Sequence, residues 1–75
     1  MDYQDIITRN PAILAGKPII KGTRISIELL LKKMSEGATI GDLLKGYPHL
    51  EAYQIYAALA YSSAVIGKEE ILDVA

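Results

Sequence analysis

From Ala52 to Gly67 the chain runs sixteen residues without one charged side chain, and no other property of the sequence restricts its fold as strongly. The spacing predicts a helix over 51–66, with Ile55, Ala58, Leu59, Ser62 and Ile66 on one face and Tyr53, Tyr56, Ala57, Ala60 and Ala64 on another. A helix that is apolar nearly all round must be covered on more than one side. The run is shorter than the roughly 18 apolar residues of a membrane span, and Gln54, Ser62 and Ser63 interrupt it, so protein rather than lipid is the expected cover.

Two shorter amphipathic segments are available to provide it. Ser26 is placed to cap a first helix, in which Ile27, Leu30, Leu31 and Met34 fall at i, i+3, i+4 and i+7 before Gly37 ends it. Glu28 and Lys32 are spaced for a helical ion pair. Thr39 and Asp42 read as a capping box that opens a second, short helix with Ile40, Leu43, Leu44 and Tyr47 on one side, closed by Gly46 and Pro48. The first two helices cover one face of the third, which leaves the tyrosine and alanine face for a second copy or for the N-terminal strands.

Upstream of the helices, Ile6, Ile7 and Thr8 favour a short strand within Tyr3–Arg9, ended by Asn10-Pro11. Pro11–Ala15 allows a single turn into Gly16. The densest motif of the chain follows, Gly16-Lys17-Pro18-Ile19-Ile20-Lys21-Gly22-Thr23-Arg24, with Ile19 and Ile20 extended and Lys21-Gly22 turning the chain. Glycine between β-branched segments supplies a positive backbone angle without steric cost, so this stretch reads as a β-hairpin or β-arm. The expected fold is mainly α: one domain, with a β-arm over 1–25, a three-helix core of helix-turn-helix type over 26–67, and a tail over 68–75 able to add an amphipathic turn through Ile71, Leu72 and Val74.

Charge divides the chain. Residues 1–33 carry six cations against three acids, and residues 34–75 carry two against six, although the net charge is only −1. Such a chain has little general affinity for nucleic acid, yet two oppositely charged halves can face two different partners. With half its residues apolar and only 75 in all, the chain has a small core, and self-association is expected to cover part of its apolar surface. The absence of cysteine excludes disulfides, thiol chemistry and cysteine-ligated zinc. The acidic, polar start over Met1–Asp5 is unlike a signal peptide, which makes the cytoplasm the expected compartment.

Asn10-Pro11, the run from Gly16 to Ile25, Glu36-Gly37-Ala38-Thr39, Tyr47-Pro48-His49-Leu50 and the Ala57–Tyr61 run together closely resemble the domain of unknown function 433 family of bacteria and archaea. The resemblance covers nearly the whole chain. It implies a helix-turn-helix-like small protein, antitoxin-like, of a kind encoded beside a PIN-like nuclease. One departure is visible: Glu51 stands where the family commonly places a threonine to cap the third helix, which weakens that cap.

The third helix occupies the position of a recognition helix but brings no lysine or arginine to base edges. Any nucleic-acid contact therefore falls to Lys17, Lys21, Thr23 and Arg24 in the arm and to Lys32 and Lys33 in the first helix. For Arg24 the alternative, which the reading favours, is a clamp onto Asp5, Glu28 or Asp42 that holds the arm against the helices. Tyr53, Tyr56, Ala57, Ala60 and Ala64 are the expected dimer interface. Gly16, Pro18 and Gly22 match neither a Walker motif nor a dinucleotide-binding loop, so they are read as backbone devices.

His49 has no companions at metal-ligand or acid–base spacing and is read as a turn residue, Ser62 and Ser63 have no base nearby, and Glu69-Glu70 is a solvated tail. No catalytic residue, metal or cofactor is expected. Two functions follow: an antitoxin-like, homodimeric regulator that binds DNA and a PIN-like nuclease, or an interaction module that never touches DNA.

Overall fold

The computed structural model describes residues 3–68. A 3-10 turn over Tyr3–Asp5 leads into strand β1 (Ile7–Thr8), which pairs antiparallel with β2 (Ile19–Ile20) in the register Ile7 to Ile20 and Thr8 to Ile19. Three helices follow: α1 (Ile27–Ser35), α2 (Ile40–Gly46) and α3 (Ala52–Gly67). The mainly helical fold with a short N-terminal hairpin is the one the sequence predicts, but the strand expected within Tyr3–Arg9 is confined to two residues. The strand pairing also spans a longer loop than expected. Within that loop Leu14, Ala15 and Gly16 take φ angles of 50°, 57° and 83°, a left-handed turn held by the Gly16 N–H on the Ile13 carbonyl at 3.1 Å and the Lys17 N–H on the Leu14 carbonyl at 3.2 Å.

The Lys21-Gly22 turn does reverse the chain. Gly22 has φ 84° while Lys21 does not share that sign, and the Thr23 N–H donates to the Ile20 carbonyl at 3.0 Å, the pattern of a type II turn. Beyond it the Ile20 N–H donates to the Ile25 carbonyl at 3.0 Å, and Ile19 bridges to Ser26. Ile20 is thus tied both to β1 and to the lead-in of α1.

Local signals set the helix starts. Ser26 Oγ accepts from the Leu29 N–H at 3.0 Å, and Thr39 and Asp42 exchange bonds of 3.0 and 2.9 Å as a complete capping box. At α3 the cap is met from inside the helix: Gln54 Oε1 accepts from the Glu51 N–H at 2.8 Å. Ser62, mid-helix, donates its hydroxyl to the Ala58 carbonyl at 2.8 Å.

α3 is the hub. The turn at Tyr3–Asp5, β1, α1 and α2 all pack on it, and Ile7, Ile20, Ile27, Leu30, Leu43, Leu50, Ile55, Ala57 and Ala58 form one core. Its inward strip lies between the two faces read from sequence. Ile55, Ala57 and Ala58 are buried, whereas Leu59 and Ile66 are exposed. Ala57, expected at a dimer interface, is fully buried in the chain's own core, because the N-terminal segment packs where a second copy was expected. Apart from Lys68, the tail over 68–75 lies outside the described residues, as do the readings of Glu69-Glu70 and of Ile71, Leu72 and Val74.

Candidate functional site

The paired strands bring two loops together. The segment after β1 and the turn after β2 enclose an open cleft of about 550 Å³ lined by Thr8, Arg9, Asn10, Pro11 and Ile13 on one side and by Ile19, Lys21, Gly22, Thr23 and Arg24 on the other. Three of these side chains are cations and none is a carboxylate. Arg9, Lys21 and Arg24 are all exposed and, among the described residues, none is in an ion pair. Arg9 is steadied instead by a neutral group: its Nη2 donates to the Tyr61 hydroxyl at 3.1 Å.

The cations read from sequence separate into those free to meet a ligand and those already partnered. Lys17 sits 2.7 Å from Glu28, and that hydrogen bond and charge hold the Glu28 carboxyl below the usual glutamate range. Lys32 pairs with Glu36 at 3.3 Å rather than with Glu28 as its spacing predicted, because Lys17 reaches Glu28 first from the arm. Lys33 lies away from the cleft, in a depression shared with Glu36 and Asp42.

Thr23 cannot offer its hydroxyl proton to a phosphate. It donates to the Ile20 carbonyl at 2.8 Å and accepts from the Ile25 N–H at 2.9 Å, which makes it part of the turn. Among the described residues Arg24 forms no ion pair with Asp5, Glu28 or Asp42, the partners of the clamp reading; Glu28 is engaged by Lys17 and Asp42 by the Thr39 backbone. Lys21 and Arg24 thus remain from the expected set, and Arg9 joins them. No local signal marks Arg9; only the pairing of β1 with β2 places it beside the Gly22 turn.

A second surface lies on α3. Tyr53, Tyr56 and Leu59 are exposed along one side of the helix with no charge among them, while Val65 and Ile66 are exposed near its end, Ile66 to 67% and Val65 on the side opposite Tyr56. Ala60 and Ala64 are half-buried beside this strip. Between α1 and the end of α3 lies a shallow, mainly apolar groove of about 330 Å³ lined by Pro18, Ile27, Leu31 and Val65, with the charged Arg9 and Glu28 also in its lining. No residue of α3 lines the basic cleft. Among the described residues no three His, Asp or Glu side chains gather as metal ligands, and no helix is long and apolar enough to cross a membrane.

Residues 7–62 match the sequence profile of a family described as protein of unknown function, DUF433. The chain is 31% identical over 61 residues to the uncharacterized protein y4eO of Sinorhizobium fredii, an alignment that takes in 81% of this chain and 28% of that protein. The crystal structure of a DUF433 member protein from Anabaena variabilis superposes with a TM-score of 0.80 at 31% identity, over 87% of this chain and 64% of the other. The chain therefore spans about a quarter of the curated relative and under two thirds of the crystallised one.

Proposed function

The chain belongs to the DUF433 family, and on that premise we propose that it is a non-catalytic regulator of the antitoxin type, which contacts DNA through its basic cleft and holds proteins on the uncharged face of α3. The observation that supports this reading is the segregation of the two surfaces. Cations without an ion pair among the described residues gather where Arg9, Lys21 and Arg24 meet, and Tyr53, Tyr56 and Leu59 form an exposed side of α3 with no charge among them. The first surface suits a polyanion. The second suits a second copy and a PIN-like nuclease, because a face without charges carries no like-charge penalty when two copies meet across a two-fold axis.

The test uses purified protein, alone and together with the product of the gene beside its own, on its own promoter at low and moderate salt. Binding that weakens as salt rises is expected. Failure of both forms to bind would end the DNA half of the proposal and leave the protein-binding half standing.

An interaction module that never meets DNA is the second reading. The engagement of Lys17 and Lys32 by Glu28 and Glu36, which reduces the free basic surface, favours it. Arg24→Ala with Lys21→Ala separates the two: both side chains are exposed, so the fold and partner binding survive, and only the first reading loses DNA affinity.

A further inference from the structure

We infer that the cleft grips the phosphodiester backbone of a nucleic acid without reading its sequence, and that Tyr61 is a positioning residue for this contact because it fixes Arg9. The inference rests on the DNA-binding reading above and names its residues and mode.

The chemistry of the cleft carries it. Arg9 and Arg24 bring planar guanidinium groups that match phosphate oxygens in pairs, and Lys21 adds a point charge between loops. Among the described residues none of the three is in an ion pair, in a chain whose net charge is −1. The described acids, Asp5, Glu28, Glu36, Asp42 and Glu51, are all absent from the lining of the cleft. A local cation excess of this kind attracts a polyanion that the molecule as a whole does not.

The other lining groups argue against base readout. Asn10 already accepts from the Ala12 N–H at 2.9 Å through its side-chain oxygen, which removes half of the amide pair that reads adenine. The Thr23 hydroxyl is committed to the turn. No aromatic ring lines the cleft, so a base finds no stacking platform there, only Pro11, Ile13 and Ile19. Exposed on all three cations, the cleft fits a strand passing through better than a small molecule that needs enclosure.

Arg9 differs from its neighbours in being oriented. A long side chain loses rotamer freedom when it binds, and a hydrogen bond that already holds the guanidinium lowers that loss. The Tyr61 ring is itself held edge-on by Tyr3, with centroids 5.5 Å apart and planes at 85°.

Fluorescence anisotropy with a labelled oligonucleotide of scrambled sequence, as a single strand and as a duplex, tests this across a salt series with the wild type and Arg9→Gln, Lys21→Gln, Arg24→Gln and Tyr61→Phe. Three phosphate contacts give a slope of log affinity on log salt of about −2.7 on the duplex and about −2.1 on the single strand, and the probe bound more tightly at a given salt identifies the preferred form. Each glutamine variant lowers the slope by roughly one contact's share, about 0.7–0.9, and weakens binding several-fold. Tyr61→Phe weakens binding less than Arg9→Gln and adds nothing in the Arg9→Gln background, a non-additivity that a merely structural role would not produce.

Thermal melts of the three glutamine variants are expected to match the wild type, because the three cations are exposed. Wild-type binding with all three glutamine variants unchanged in affinity and slope overturns the inference while leaving DNA binding itself in place. Absence of binding by the wild type even at low salt overturns both.

Discussion

Arg9 and Tyr61, 52 positions apart, are joined by a bond of 3.1 Å from the guanidinium Nη2 to the phenolic oxygen, while the same ring meets the Tyr3 ring at a right angle. One side chain of α3 therefore serves both the packing of the N-terminal turn and the orientation of a cleft residue. These roles separate by substitution. Tyr61→Phe keeps the ring contact and is expected to change stability by about 1 kcal/mol or less, since the lost bond is exposed. Tyr61→Ala removes the ring and is expected to cost about 3 kcal/mol. Urea unfolding measures both, and equal losses would refute the separation.

Ile55 is fully buried in the first turn of the hub helix and belongs to the core cluster built with residues of β1, β2, α1 and α2. Ile55→Ala leaves a cavity there and is expected to cost about 2–5 kcal/mol. A small domain has about 5 kcal/mol at its disposal, so the variant is expected to be largely unfolded at 37 °C by circular dichroism. Retention of native melting would show that the core is not centred on this residue.

Asp42 receives the Thr39 N–H at 2.9 Å, and that backbone bond, with the Thr39 hydroxyl second, holds its carboxyl below the ordinary aspartate range. A group with a lowered folded pKa binds its proton first in the unfolded chain. Its contribution to stability is therefore complete above the ordinary aspartate pKa of about 4 and disappears as pH falls through the folded value. Asp42→Asn is expected to be less stable than the wild type at neutral pH, with the gap closing as the solution is acidified; a gap independent of pH would disprove the linkage.

Gly22 and Gly46 both have open space where a Cβ would stand, yet only Gly22 has a positive φ, of 84°. Gly22→Ala is expected to cost about 1–2 kcal/mol for the left-handed backbone. Gly46→Ala, at the end of α2, is expected to be stabilising by up to about 1 kcal/mol. Thermal shifts of opposite sign would establish that conformation rather than space sets the requirement.

Tyr56 is half exposed on the uncharged side of α3, so a charge there disturbs an interface before it disturbs the fold. Light scattering is expected to read a dimer for the wild type and a monomer for Tyr56→Glu, with unchanged helical content. Equal masses for the two proteins would remove this face from the interface.

Helices were legible because their signals are local. Ser26, Thr39 with Asp42, Gly37 and the spacing of Ile27, Leu30 and Leu31 act within a turn or two of the residues they organise. Pairings across the chain were not. That Ile7 would meet Ile20 and that Lys17 would take Glu28 both depend on which distant segments dock, and no periodicity encodes that. The candidate site suffered most, because Lys21 and Arg24 stand out in a dense motif while Arg9 acquires its place only through strand pairing.

The contact between Tyr3 and Tyr61 also has a bearing on chain architecture. Among the described residues, the first element packs against the middle of the last helix, so the two outermost elements are fastened to each other as well as to their neighbours in the chain. Loss of either ring therefore loosens both segments at once.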